Sequence, residues 1–132
     1  MEGWEQPEVK ATLAAYFSFM ERELAGHRIN KLAAYKELAS VWGRSWKGYE
    51  RKMQNISAVL VLHDHSYLKG LVPLVNIQRS LEPVTLQYLR DHPEALVLLQ
   101  RYRGKRIVPY SEDLFSSITI KDPPTQFTKG PK

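Results

Sequence analysis

Along the first hundred positions the apolar residues recur with helical rather than strand spacing. Val9, Leu13, Tyr16, Phe17, Met20 and Leu24 follow one another at three, four or one positions, which draws a single apolar stripe. Pro7 suits a first helical turn, and Gly26 takes the left-handed conformation cheaply just past a last one. A helix is predicted over about residues 8 to 25, with Glu2, Glu5 and Glu8 near its positive end. Asn30 is the N-cap of a second helix whose inner face is Leu32, Tyr35, Leu38, Ala39 and Trp42, and Gly43 ends it. Ser45 then caps a third, in which Trp46, Tyr49, Met53, Ile56 and Leu60 form the best-defined stripe in the chain. Only Gly48 interrupts it, at a cost of about 1 kcal/mol relative to Ala. Ala58 to Leu62 is apolar on every side, so that half of the helix must be surrounded by protein.

From His63 to Val75 the periodicity fails, and Gly70 and Pro73 mark a loop. Ile77, Leu81, Val84, Leu86, Tyr88 and Leu89 predict a fourth helix with Pro83 in or near its first turn. Asp91 then caps, and Pro93 opens, a fifth helix running to about Tyr102. Ile107-Val108, Leu114-Phe115 and Ile118-Thr119-Ile120 read as short extended pieces. Residues 121–132, with three prolines, read as a flexible tail.

A length of 132 residues is one domain's worth. The expected architecture is all-α, a compact bundle of about five helices containing a helix-turn-helix-like unit, with a partly extended C-terminal segment. Residues 1–104 are the helical domain, 105–120 the C-terminal segment and 121–132 the tail. The absence of cysteine removes disulfide scaffolds, Cys-ligated zinc, iron–sulfur clusters and thiol nucleophiles together. No basic stretch followed by an apolar one opens the chain, so no secretory signal is visible. The longest apolar run, Ala58 to Leu62, falls far short of the roughly 20 residues of a membrane span. The expected location is the cytoplasm, with no membrane partner.

The formal charge of +5 favours an anionic partner without naming it. Two helices joined by a short glycine turn, the second of them basic, are the outline of a helix-turn-helix. At about 100° per residue, Lys47, Arg51, Gln54 and Asn55 fall opposite the apolar stripe of the third helix. Such residues reach phosphates and base edges when a helix lies in a major groove. Between Arg44 and Asn55 there are four basic residues against one acid, Glu50. Candidate DNA-binding residues are therefore Arg44, Ser45, Lys47, Arg51, Lys52, Gln54 and Asn55, with Arg101, Arg103, Lys105 and Arg106 as an auxiliary phosphate contact. The plain alternative for the first set is a solvated helix face, and for the second a charged helix end, where cations meet the negative dipole. Tyr35, Trp42, Trp46 and Tyr49 are assigned to core packing.

The stretch from Val9 to about Leu89 resembles the N-terminal head domain of McrA-like, modification-dependent HNH restriction endonucleases. The residues that carry the likeness are Val9-Lys10-Ala11-Thr12 with Tyr16 and Glu23-Leu24, Asn30-Lys31, and Gly43-Arg44-Ser45. The most specific is Glu50-Arg51-Lys52-Met53-Gln54-Asn55-Ile56-Ser57-Ala58-Val59-Leu60, followed by Asn76-Ile77-Gln78 with Leu81. The Gly-Arg-Ser turn and basic helix are also similar to the last two helices of Myb-like domains. The chain departs from the first family at Trp46-Lys47-Gly48-Tyr49, where small residues and a valine or isoleucine are usual, and in lacking Gly-Leu-Pro after Leu62. The resemblance implies a helical head that precedes reader and nuclease modules in larger defence enzymes and is not itself the nuclease. The HNH module is not in this sequence, so the chain reads as a stand-alone head or as the first piece of a split or decayed enzyme.

Catalytic chemistry has little to stand on. No nucleophile elbow, Walker A or dinucleotide fingerprint occurs. His63 and His65, with Asp64 between them, make a thin metal site, and a solvated loop is the default reading. No catalytic residue, metal or cofactor is expected. Duplex DNA, possibly modified, is the expected partner. The alternative is an adaptor docking to an effector protein encoded nearby through exposed aromatics such as Tyr67 or through the C-terminal segment.

Overall fold

The stripe that starts at Val9 folds as α1, Gln6–Leu24, in a computed structural model of the chain that describes residues 3–104 and 119–121. Its last turn closes as the glycine-terminated pattern predicts. Gly26 has φ 81°, its N–H meets the Glu23 carbonyl at 3.0 Å, and the His27 N–H reaches the Arg22 carbonyl at 2.9 Å. The buried face carries the expected apolar residues, and in addition two polar ones, Glu8 and Thr12.

Helix α2, Lys31–Trp42, begins where Asn30 accepts the Ala33 N–H at 3.0 Å and ends at Gly43, φ 94°. It touches α1 and α3, Trp46–Leu62, but neither of the later helices. Its inner face is therefore narrower than expected. Tyr35 is buried, stacked on Trp46 at 6.3 Å and edge-on to Phe19, while Leu38 and Ala39 are half-covered. Leu32 and Trp42, assigned to that face, are 43% and 39% exposed. Only three residues, Gly43-Arg44-Ser45, separate α2 from α3, so the pair forms the expected helix-turn-helix-like unit.

Helix α3 is the centre of the molecule. Tyr49, Met53, Ile56 and Leu60 are buried as expected, Trp46 is half-buried, and residues 56–61 are covered on all sides. Against it pack α1, α2, α4 (Leu81–Asp91) and the short strand β1 (Asn76–Gln78), while α5 (Pro93–Gly104) lies on α1 and α4. The segment between α3 and β1 is held by two buried tyrosines. The Tyr16 hydroxyl lies 2.8 Å from Ser57 Oγ and accepts the Leu68 N–H at 2.9 Å, and the Tyr102 hydroxyl accepts the Lys69 N–H at 2.8 Å. Burial pushes both phenols above their ordinary range.

Two boundaries and the exposure of one aromatic differ from expectation. Ile77 belongs to β1 rather than to the fourth helix, which starts at Leu81, and it is buried in an extended segment between the Asn55 contact and Ser80. Asp91 ends α4, accepting from Gln87 at 2.9 Å, and does not cap α5, whose first residue is Pro93 as predicted. Tyr67, expected exposed, is partly buried against the core. Of the C-terminal pieces, Thr119–Lys121 forms β2, parallel to β1 with Ile77 opposite Ile120. The expectations for 105–118 and 122–132 lie outside the described residues. The five helices make a compact bundle, and among the described residues no helix is long and apolar enough to cross a membrane.

Candidate nucleic-acid interface

The turn between α2 and α3 sets out the basic residues of the chain's middle. Gly43 takes the left-handed conformation, its N–H bonded to the Ala39 carbonyl at 2.8 Å, and Ser45 follows in extended backbone. Ser45 occupies the N-cap position without forming the expected side-chain cap; its hydroxyl bonds to no backbone N–H of the first turn. Lys47 and Arg51 stand one helical turn apart on the outer face, both exposed. Neither has a hydrogen-bond or ion-pair partner among the described residues, and Lys47 does no more than lie 5.8 Å from the Trp46 ring.

The other candidates are less free than the helical wheel suggested. Arg44 turns inward: Nε donates to Glu8 Oε2 at 2.6 Å, and Nη2 donates to Glu8 Oε1 at 3.2 Å and to the Gly3 carbonyl at 2.6 Å. Its guanidinium also covers Trp4 at 3.9 Å. Lys52 is corrected from a surface contact to a buried group, 7% exposed, with Nζ 4.6 Å from the Trp4 ring. Gln54 and Asn55, expected as base readers, are engaged as donors within the fold. Gln54 Nε2 donates to the Val72 carbonyl at 3.1 Å and Asn55 Nδ2 to the Asn76 carbonyl at 3.0 Å, because the chain after α3 folds back over that side of the helix. The Leu74 N–H meeting the Gln54 carbonyl at 3.2 Å fixes the same segment.

The auxiliary cluster sits elsewhere. Arg103 donates to the carbonyl oxygen of Asp64 and lies 3.4 Å from its carboxylate, at the far end of α3 from Lys47. That separation, roughly 20 Å along the helix, prevents Arg103 and Arg51 from forming one clamp on neighbouring groups. Arg101 is exposed, and Lys105 and Arg106 lie outside the described residues. In the same loop His63 Nε2 meets Glu82 at 2.7 Å, and burial together with His63 pulls His65 below the usual imidazole range. Among the described residues no three His, Cys, Asp or Glu side chains gather as a metal ion would need.

Glu8 and Trp4 were not singled out from the sequence, yet they organise this end of the molecule. The Glu8 carboxylate is 6% exposed and takes the two Arg44 bonds and the Tyr49 hydroxyl at 2.9 Å, tying α1 to the α2–α3 turn. Burial and then the Glu8 carboxylate push the Tyr49 phenol up to about 12. A signal for Glu8 was present, since it lies four residues before Thr12 and eight before Tyr16, on the stripe that faces α3. Trp4 packs edge-on to Tyr49 at 5.4 Å, and its ring faces attract Arg44 and Lys52. Around these groups opens a cleft of about 590 Å³, lined by the α2–α3 turn, the first turns of α3, Trp4 and two β1 residues, Asn76 and Gln78. Arg44, Arg51 and Lys52 line it, and no acid does.

No family model, curated protein or solved structure matches this chain.

Proposed function

We propose that the chain is a non-catalytic DNA-binding module that meets the phosphate backbone of duplex DNA at the turn between α2 and α3. The observation that carries this reading is the pair Lys47 and Arg51, side by side on an exposed helix face with no acid holding either of them. Cations so placed neutralise phosphates and release condensed counter-ions, the main source of sequence-independent affinity. Gln54 and Asn55 are spent on the Val72 and Asn76 carbonyls, so the contact positions the protein on a duplex and reads little base identity. The likeness of residues 50–60 to McrA-like heads supplies the setting: a cytoplasmic module in bacterial defence, working beside an effector protein that carries the nuclease.

A salt titration of duplex binding tests the proposal. Affinity should fall with salt at a log–log slope of about −0.9 for each phosphate neutralised. Lys47→Ala with Arg51→Ala should flatten that slope by about 1.8 and remove most of the affinity at low salt, with the helical circular dichroism unchanged. Salt-independent binding, or full affinity in the double variant, rejects the assignment and leaves the adaptor reading.

A further inference from the structure

We propose that the cleft beside Lys52 is a binding site for a single phosphate group. It shares Arg51 with the surface assigned above but does not rest on that reading. Lys52 carries the argument. It is more than nine-tenths buried, lines the cleft, and has no hydrogen-bond or ion-pair partner among the described residues. A desolvated ammonium of this kind is costly unless paired. Glu8 attracts it through space but makes no bond to it, and already accepts two bonds from Arg44 and one from Tyr49. Trp4 covers Lys52 on one side with the face of its ring, which attracts a cation and supplies no oxygen.

The walls of the cleft provide the rest of an anion site. Arg51 stands at its rim with a free guanidinium fork. The first turn of α3 lines it at Ser45 and Gly48, where the positive end of the helix dipole favours an anion, although the Gly48 N–H is itself bonded to the Ser45 carbonyl at 3.0 Å. An ammonium and a guanidinium fork bring several donors to one space. A tetrahedral anion with four oxygens uses all of them, whereas the two oxygens of a carboxylate leave donors idle. At about 590 Å³ the space also admits the organic group to which a phosphate is attached. The depressed proton affinity of Lys52, caused first by burial and then by Arg44, is what a cationic site awaiting its counter-ion shows.

The test is a titration of the full chain with inorganic phosphate at constant ionic strength, followed by amide and lysine side-chain resonances, with chloride as the reference. Saturable shifts at Trp46, Lys47, Gly48 and Lys52 are expected. Lys52→Met should weaken phosphate binding about tenfold or more, as should Arg51→Ala, which alters only an exposed residue; Lys36→Met, on the exposed face of α2 and outside the cleft, should leave it unchanged. Duplexes of one sequence with and without a 5′-phosphate then identify the source. Tighter binding of the phosphorylated duplex, lost in Lys52→Met, marks a terminal phosphate, and equal loss for both duplexes marks a backbone diester. Phosphate shifts no larger than those of chloride, or wild-type phosphate affinity in both cleft variants, overturn the proposal. Duplex binding that needs Lys47 and Arg51 but ignores Lys52 would leave the DNA reading standing without the pocket. Phosphate capture without duplex binding would do the reverse.

Discussion

Replacing Lys52 by methionine should make the protein more stable at neutral pH. Burial and the neighbouring Arg44 pull the Lys52 ammonium down to about 8 from its ordinary 10.5, against an opposing pull from Glu8. Below pH 8 both the folded and unfolded chains carry the proton, so the folded state bears the full penalty, about 3 kcal/mol at 1.36 kcal/mol per pH unit. Between about pH 8 and 10.5 the unfolded chain binds more protons than the folded one, and stability therefore rises with pH across that window. Methionine fills the same unbranched volume without a charge, and its sulfur makes its own contact with an aromatic ring. Loss of the ammonium over Trp4 gives back about 1 kcal/mol. The net expectation at pH 7 is a gain of about 2 kcal/mol.

Urea unfolding followed by circular dichroism measures the gain, in a buffer without phosphate because a bound anion stabilises the folded state. Tyr16, Tyr35 and Tyr102 are all raised by burial, so wild-type stability also falls as the unfolded tyrosines ionise near pH 10. The difference between wild type and Lys52→Met cancels that common slope. It should hold nearly level from pH 7 to about pH 8 and then shrink towards pH 10. A variant less stable than wild type at pH 7, or a gap that stays constant over the range, refutes the burial cost assigned to Lys52.

Tyr16→Phe strips the acceptor from the Leu68 N–H and the partner from Ser57, both buried, and should cost about 1–3 kcal/mol in urea unfolding; a change within experimental error would show that the loop after α3 does not depend on this bond. Gly43→Ala meets no atom within 4 Å, so its cost is purely conformational, about 1–2 kcal/mol for a left-handed alanine, and Gly43→Asn should recover part of it in the same assay.

Helix ends were legible because their signals are local. Asn30 needs only the Ala33 N–H three residues on, and Gly26 and Gly43 need only their own backbone angles. The stripes of α1 and α3 were legible for a related reason: a helix packed along one face buries residues at helical spacing. What stayed hidden depends on chain that is distant in sequence. Nothing in the spacing around Lys52 announces that Trp4, forty-eight positions away, will lie against it. Ile77 continues the apolar rhythm of α4 although it sits in a strand, since a short apolar run fits both periods. Trp42 failed for another reason. Its helix is at the edge of the bundle and has two neighbours, so a face wide enough for five residues has room for Tyr35 and partial cover for Leu38 and Ala39.

Three polar side chains of the run from Glu50 to Leu60 are committed within the fold. Gln54 holds the Val72 carbonyl, Asn55 holds the Asn76 carbonyl, and Ser57 meets Tyr16 beneath α1. Each bond joins α3 to a different neighbouring segment, so together they specify how the loop after α3 folds back and where β1 begins. A side-chain N–H already paired with a backbone carbonyl must give up that bond, worth about 0.5–1.5 kcal/mol net, to reach a base edge. Gln54, Asn55 and Ser57 are therefore accounted for by the fold itself. Lys47 and Arg51 on the outer face, and Lys52 at the cleft, make no such bond among the described residues. These are also the ones whose charge the fold itself leaves unanswered.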